Sequence, residues 1–247
     1  MATATRLHKS VLIRQVTMLR EIDKINVLDH GFVRLVDSMG SDLSVSRAAR
    51  VSYNEEWRAG EDEGSDTRLI KYLKKNKHHT PFEAVVFTFE VKAPIFVFRQ
   101  WHRHRTWTYN ELSARYRELP EEFYVPALEN ITPQAKLNKQ GREAEGYTEE
   151  KKKFIQDRIR ESCEESFLTY RGLLEEGLAK ELARSVLPVN TYSHMFATVN
   201  LLNLMRFLSL RDHSHAQYEI RVYAEAMRKL AKQIAPVCIA AWEEFGA

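Results

Sequence analysis

Cysteine is nearly absent from the chain: two residues in 247, Cys163 and Cys238. They lack zinc-type spacing, and neither neighbours a histidine or a glycine-rich turn that would activate a thiolate. A disulfide framework, a cysteine metal centre and a cysteine nucleophile are all disfavoured. No apolar run approaches the roughly 20 residues of a membrane span, and the first residues lack a signal-like apolar core. A cytoplasmic protein with no membrane partner is expected. An excess of one charge is also missing, since 37 basic residues face 34 acidic ones. A protein that coats nucleic acid is usually more lopsided, so any positive patch must be local. At 44% hydrophobic and 11% aromatic, the chain can bury a sizeable core.

The positive patch is legible between residues 99 and 116. Arg99, Arg103, Arg105 and Arg115 are interleaved with Trp101, Trp107, Tyr109 and Tyr116, beside Gln100, Asn110, Glu111 and Ser113. Guanidinium forks match phosphates and carbonyl edges, and aromatic rings offer faces for flat heterocycles. The pattern points to an anionic ligand with planar rings. Arginines among aromatics also grip single-stranded nucleic acid, but Glu111 and the small polar residues favour a defined small molecule. His102 and His104, His78 and His79, and His213 and His215 invite a metal reading. No cysteine or paired carboxylate completes a ligand set, so no metal is expected.

Elements follow from periodicity. Residues 1–24 read as an arm, with a helix over 11–22, ahead of a domain covering 25–247. Residues 25–40 alternate as two strands about a turn at His30-Gly31. Asp42 and Asp66 are read as helix caps, with a mobile loop over 54–65. Phe82–Val91 reads as a mostly buried strand, and Ile95–His102 as a helix after Pro94. A polar excursion over 127–147 precedes a long charged helix, 148–176. A helix over 181–187, a strand over 191–199 and a helix over 200–210 follow. The final helix is expected over 215–245, interrupted near Pro236. The expected fold is α+β, a helix-flanked and mainly antiparallel sheet in a single domain.

Other segments carry two readings each. His78, Thr80 and Glu83 either make a turn before Pro81 or line a pocket at the mouth of the strand. Arg184 either complements a helix end or reaches a ligand. Arg211, His213 and His215 lie at a junction between helices, where a helix start could face an anion.

Together these segments resemble the flavin-dependent thymidylate synthases. That family's signature is Arg-His-Arg, seven residues, then Ser, with Asn-Glu before the serine and Arg-Tyr after it. Here it stands as Arg103-His104-Arg105, Asn110-Glu111, Ser113 and Arg115-Tyr116. The similarity continues in Arg47–Ser52, His78–Glu83, Arg184–Pro188, Thr198–Asn200 and Leu210–Gln217. The resemblance implies synthesis of dTMP from dUMP, with 5,10-methylenetetrahydrofolate as carbon donor and FAD, reduced by NADPH, as hydride source. It implies no cysteine nucleophile, and a homotetramer with sites at subunit interfaces. Gln100, Trp101, His102, Arg103, Glu111, Leu112, Ser113, Ala114, Arg115, Arg184 and Arg211 would border dUMP. Ser52, His78, Thr80, Arg103, His104, Arg105, Glu111, Asn200, Leu201, Leu202, Arg206 and His215 would border FAD. Arg211 would be catalytic, favouring loss of the ring N3 proton and so activating C5. Thr108 and Arg206 depart from the usual pattern. Arg206 stands where relatives more often carry Asn or His. The arm and residues 136–146 read as additions.

Overall fold

The computed structural model describes residues 24–136, 141–143 and 146–246; the proposed arm helix over 11–22 lies outside them. Five strands form one antiparallel sheet: β1 (Lys24–Val27), β2 (Gly31–Met39), β3 (Val86–Pro94), β4 (Thr108–Glu111) and β5 (Tyr192–Asn200). Their spatial order is β1-β2-β3-β5-β4, with every adjacent pair antiparallel. The expected fold class is borne out.

Alternation within β3 explains its central position. Phe87, Phe89, Val91 and Ala93 are wholly buried on one face. The other face is only half-buried and polar, so the strand is less apolar than its sequence suggested. There Glu90 holds Arg34 and His194, and the Thr88 and Thr198 hydroxyls meet at 3.0 Å. The β1–β2 turn depends on a close approach at Gly31. A Cβ there would lie 2.0 Å from the Tyr223 hydroxyl and 2.7 Å from the Val27 carbonyl oxygen.

Helices pack over the apolar face and beside it. They are α1 (Asp42–Arg50), α2 (Glu63–Lys75), α3 (Ile95–Trp101), α4 (Glu149–Glu175), α5 (Lys180–Ala183), α6 (Leu201–Arg211), α7 (Tyr218–Ile234) and α8 (Pro236–Phe245). In α7, Ile220, Tyr223, Ala224, Met227, Leu230 and Ala231 follow helical spacing and are fully buried. Burying an apolar side chain of this size contributes about 1.5–3 kcal/mol, before entropy is subtracted. The long α4 packs apart from this core, through Phe167 and Tyr170 against Ala183 and Phe123. No helix among the described residues is long and apolar enough to cross a membrane.

Several local expectations change. Ser41, not Asp42, is the cap of α1. Asp42 instead accepts the backbone N–H groups of Val237 (3.0 Å) and Cys238 (2.9 Å), closing the open end of α8. Asp62, not Asp66, caps α2, accepting from Ser65 N at 3.1 Å. Asp66 is buried, where it takes an ion pair from Arg50 and the Gly60 N–H at 2.7 Å. Part of the loop expected over 54–65 is a 3-10 turn, Glu56–Arg58, followed by the start of α2. Residues 80–84 also form a 3-10 turn, so β3 begins at Val86. The expected 181–187 helix divides into α5 and the turn Arg184–Val186, and the final helix begins at Tyr218. Asp42 and Asp66 are each spent on a partner outside the helix start that local patterning does not reveal.

Candidate active site

The sequence motifs converge at three places. The first is the cleft between the end of α3 and the α6–α7 junction. Asn200 caps α6, accepting from Asn203 N at 2.9 Å, and the helix runs from there to Arg211. Gln100, Ser209, Leu210, Arg211, His213 and His215 line a cavity of about 510 Å³. Arg211 Nε donates to His104 Nε2 over 3.1 Å. Burial, and then the Arg211 charge, hold His104 down at about 4, so this imidazole is neutral near neutrality and can accept. Burial also works against the Arg211 charge. Among the described residues no carboxylate pairs with Arg211, and its terminal nitrogens have no protein partner.

Neighbouring residues divide by orientation. Trp101 is wholly buried, stacked on Phe207 at 5.0 Å, so only its backbone can meet a ligand. His102 packs edge-on to Tyr109 at 4.8 Å. Arg103 and Arg105 are exposed, and neither forms an ion pair among the described residues. Gln100 donates to Gln217, a residue with no role assigned by sequence patterning. Gln217 donates to buried Glu219 at 2.9 Å, and Glu219 also takes Arg142 and the Tyr124 hydroxyl. Its only sequence signal is an acidic residue in a helix's first turn. Thus Arg142, within the polar excursion, is tied to the site.

The second place is the loop after β4. Glu111 accepts from Ser193 Oγ at 2.7 Å, and Leu112 N donates to the His194 carbonyl at 2.8 Å. Ser113 Oγ accepts the Arg115 N–H at 3.3 Å. Arg115 Nε donates to the Glu181 carboxylate at 3.1 Å, and Arg184 Nε to the Glu181 carbonyl at 3.3 Å. Ser113, Arg115 and Arg184 therefore gather as a set, with Ala114 buried behind them.

The third place is where α6 starts against the 80–84 turn. Leu201 N donates to the Val85 carbonyl at 2.8 Å. Thr80 is exposed there, Asn200 is half-buried, and Leu201 and Leu202 are inside the core. Arg206 Nη1 donates to Asn203 Oδ1 at 3.2 Å. His78 is exposed, edge-on to Tyr72 at 5.9 Å, and Ser52 is exposed in the turn after α1. The second and third places lie at opposite ends of β5. The strand's rise puts Ser193 and Asn200 about 23 Å apart.

Among the described residues neither thiol has an activating partner. Burial, and secondarily Glu164, raise Cys163 despite its bond with Asn190, and burial raises Cys238 strongly. No group of three His, Cys, Asp or Glu converges among the described residues.

Comparison with known proteins agrees with the motifs. Residues 34–237 match the family model described as thymidylate synthase complementing protein. The flavin-dependent thymidylate synthase of Thermotoga neapolitana is 49% identical over 213 residues, 86% of this chain and 91% of the relative. That of Thermus thermophilus is 49% identical over 220 residues, 89% and 78% respectively. The crystal structure of the UMP/dUMP methylase PolB from Streptomyces cacaoi, bound with 5-Br dUMP, superimposes with a TM-score of 0.80. It is 40% identical, covering 90% of this chain and 98% of that one. With the ordered motifs in place on a shared fold, the chain belongs to the flavin-dependent thymidylate synthase family.

Proposed function

We propose that the chain methylates dUMP to dTMP with 5,10-methylenetetrahydrofolate as one-carbon donor, using FAD reduced by NADPH, as a cytoplasmic homotetramer without a cysteine nucleophile. The observation that carries the reading is Arg211: a half-buried guanidinium, braced at Nε by neutral His104, with its terminal nitrogens free of any carboxylate among the described residues. The donor set fits FAD and a nucleotide, since Arg103, Arg105 and Arg211 offer positive charge without internal compensation, beside flat aromatic rings. FAD, when bound, would supply the hydride chemistry.

Arg211 would then lie against the uracil carbonyl edge, favour loss of the N3 proton and push electron density to C5, the carbon that attacks the one-carbon unit. A fixed cation aimed at developing negative charge is worth most where water is excluded. Ser113, Arg115 and Arg184 would hold the nucleotide phosphate, Gln100 the ring edge, and Glu111 the loop, through Ser193. Ser113 is better suited to donate to phosphate than to attack, because its neighbour is the Arg115 N–H and not a histidine base. Thr80, Asn200, Arg206, His215, His78 and Ser52 would border FAD, with Leu201 and Leu202 behind them.

Subunit sharing is supported by distance. Residues at opposite ends of β5 can serve one compact site when different copies of the chain contribute them. Exposed Tyr53, Trp57 and Tyr116 provide apolar surface for such contacts. The direct test is thymidylate formation from deoxyuridylate, methylenetetrahydrofolate, FAD and NADPH by wild type and by a Cys163→Ser/Cys238→Ser variant. Both should form product; none from a folded, flavin-loaded tetramer would remove the assignment.

A further inference from the structure

A path of four hydrogen-bonded side chains runs from the polar excursion to the cleft at the end of α3. Arg142, in the excursion, is held at its backbone by a bridge to Gln134 and at Nη1 by the Asn130 carbonyl, 2.9 Å away. Its Nη2 pairs with Glu219, which is only 3% exposed and also takes the Tyr124 hydroxyl at 3.1 Å. Gln217 Nε2 donates to the same carboxylate at 2.9 Å, and Gln217 Oε1 accepts from Gln100 Nε2. Gln100 lines the cavity that Arg211 also lines.

Local roles do not account for this path. Gln217 stands at the cap position of α7, yet its side chain makes no capping bond. Glu219 lies in the first turn, where a carboxylate complements the helix dipole. A solvated side chain would do that without being buried against a guanidinium 77 positions away.

Chemistry gives the path a direction. A carboxylate paired with a guanidinium can only accept, so Gln217 must turn its NH2 to Glu219 and its Oε1 to Gln100. Gln100 must then answer with its own NH2. One of the two amide orientations related by a half-turn is thereby selected. The Gln100 Oε1 is left without a protein partner among the described residues.

We propose that Arg142, Glu219 and Gln217 are positioning residues that fix the orientation of the Gln100 amide toward the pyrimidine ring. This rests on the reading above, in which Gln100 borders dUMP. None of the three is assigned a role there, and Arg142 comes from the stretch 136–146 that reads as an addition to the fold.

Calorimetric titration of dUMP into the FAD-loaded full chain tests the relay without turnover. Gln217→Met and Arg142→Met should each weaken dUMP binding about 3- to 10-fold, the loss expected from one neutral hydrogen bond. Arg142→Lys, which keeps a cation on Glu219, should retain most of the affinity. Lys153→Met, which removes an equal charge from the exposed side of α4, should leave it unchanged. In a Gln100→Ala background neither Gln217→Met nor Arg142→Met should weaken dUMP further, because the effects of partners in one network do not add. Arg142→Met leaves Glu219 buried without its guanidinium; should it not fold, Gln217→Met, at an exposed position, tests the relay by itself. Wild-type affinity in Gln217→Met, or losses that add in full to that of Gln100→Ala, overturns the relay. Wild-type affinity in Gln100→Ala overturns it too, together with the placement of Gln100 at the substrate. Failure of thymidylate synthesis with the coupled losses intact counts against the methylation reading alone.

Discussion

Arg211 and His104, 107 positions apart, meet through a single 3.1 Å hydrogen bond from Nε to Nε2. The bond needs an unprotonated Nε2, so the neutral ring carries its proton on Nδ1. The histidine of the Arg-His-Arg triplet thereby orients the arginine at the far end of α6.

This pairing sets a pH dependence. His104 titrates at about 4 in the folded chain, from an ordinary 6.5. Between those values the unfolded chain binds a proton that the native one does not, so stability climbs with pH across that window. The contribution is fully present above about 6.5 and is lost as pH falls toward 4. Its slope is at most about 1.4 kcal/mol per pH unit. Denaturant melts of His104→Gln should show a shallower rise between pH 4 and 6.5; identical curves would sink the assignment.

Arg211→Ala should cut kcat/KM for dUMP by roughly 10³-fold, typical of losing a cationic transition-state donor. Assembly and flavin absorbance should persist. Steady-state kinetics with a sizing column decide it, and near-normal rates would refute the activating role.

For Ser113→Ala, weaker nucleotide binding with surviving chemistry is expected. Losing a hydrogen bond to a charged phosphate costs about 1.5–3 kcal/mol, or roughly 10- to 150-fold in affinity. Isotherms for dUMP alongside single-turnover rates separate the two effects. Complete inactivity at saturating dUMP would point to a nucleophile.

Asp42→Ala removes the acceptor for two backbone N–H groups of α8. A destabilisation of about 1–2 kcal/mol is expected, as for other lost caps, visible as a thermal midpoint several degrees lower. Catalysis in the folded variant should be unaffected, because α8 carries none of the proposed site residues. An unchanged midpoint would show that the contacts contribute little.

Gly31→Ala would drive a methyl group into the Tyr223 hydroxyl, which donates to the Lys92 carbonyl at 2.8 Å. Overpacking here should cost about 1–3 kcal/mol. Pairing it with Tyr223→Phe should recover part of the loss, as read by urea midpoints, whereas strictly additive losses would argue against the clash.

The sequence by itself determined whatever depends on near neighbours. Asn200 starts α6, apolar spacing runs through α7, and alternation defines β2 and β5, because backbone hydrogen bonding and side-chain periodicity act within a few residues. The ordered motifs likewise marked Arg103, Ser113 and Arg211 before any coordinates. Tertiary structure alone decided how those segments meet. The order β3-β5-β4 sends the Glu111 loop and Asn200 to opposite ends of one strand. The return of α6 lays Arg211 on His104, and the packing of α2 turns Lys74 inward. Asp42, Asp66 and Glu219 were misread or missed for the same reason. A carboxylate that finds a guanidinium or an open helix end far along the chain gains more than it would as a local cap, and such partners have no fixed spacing in sequence.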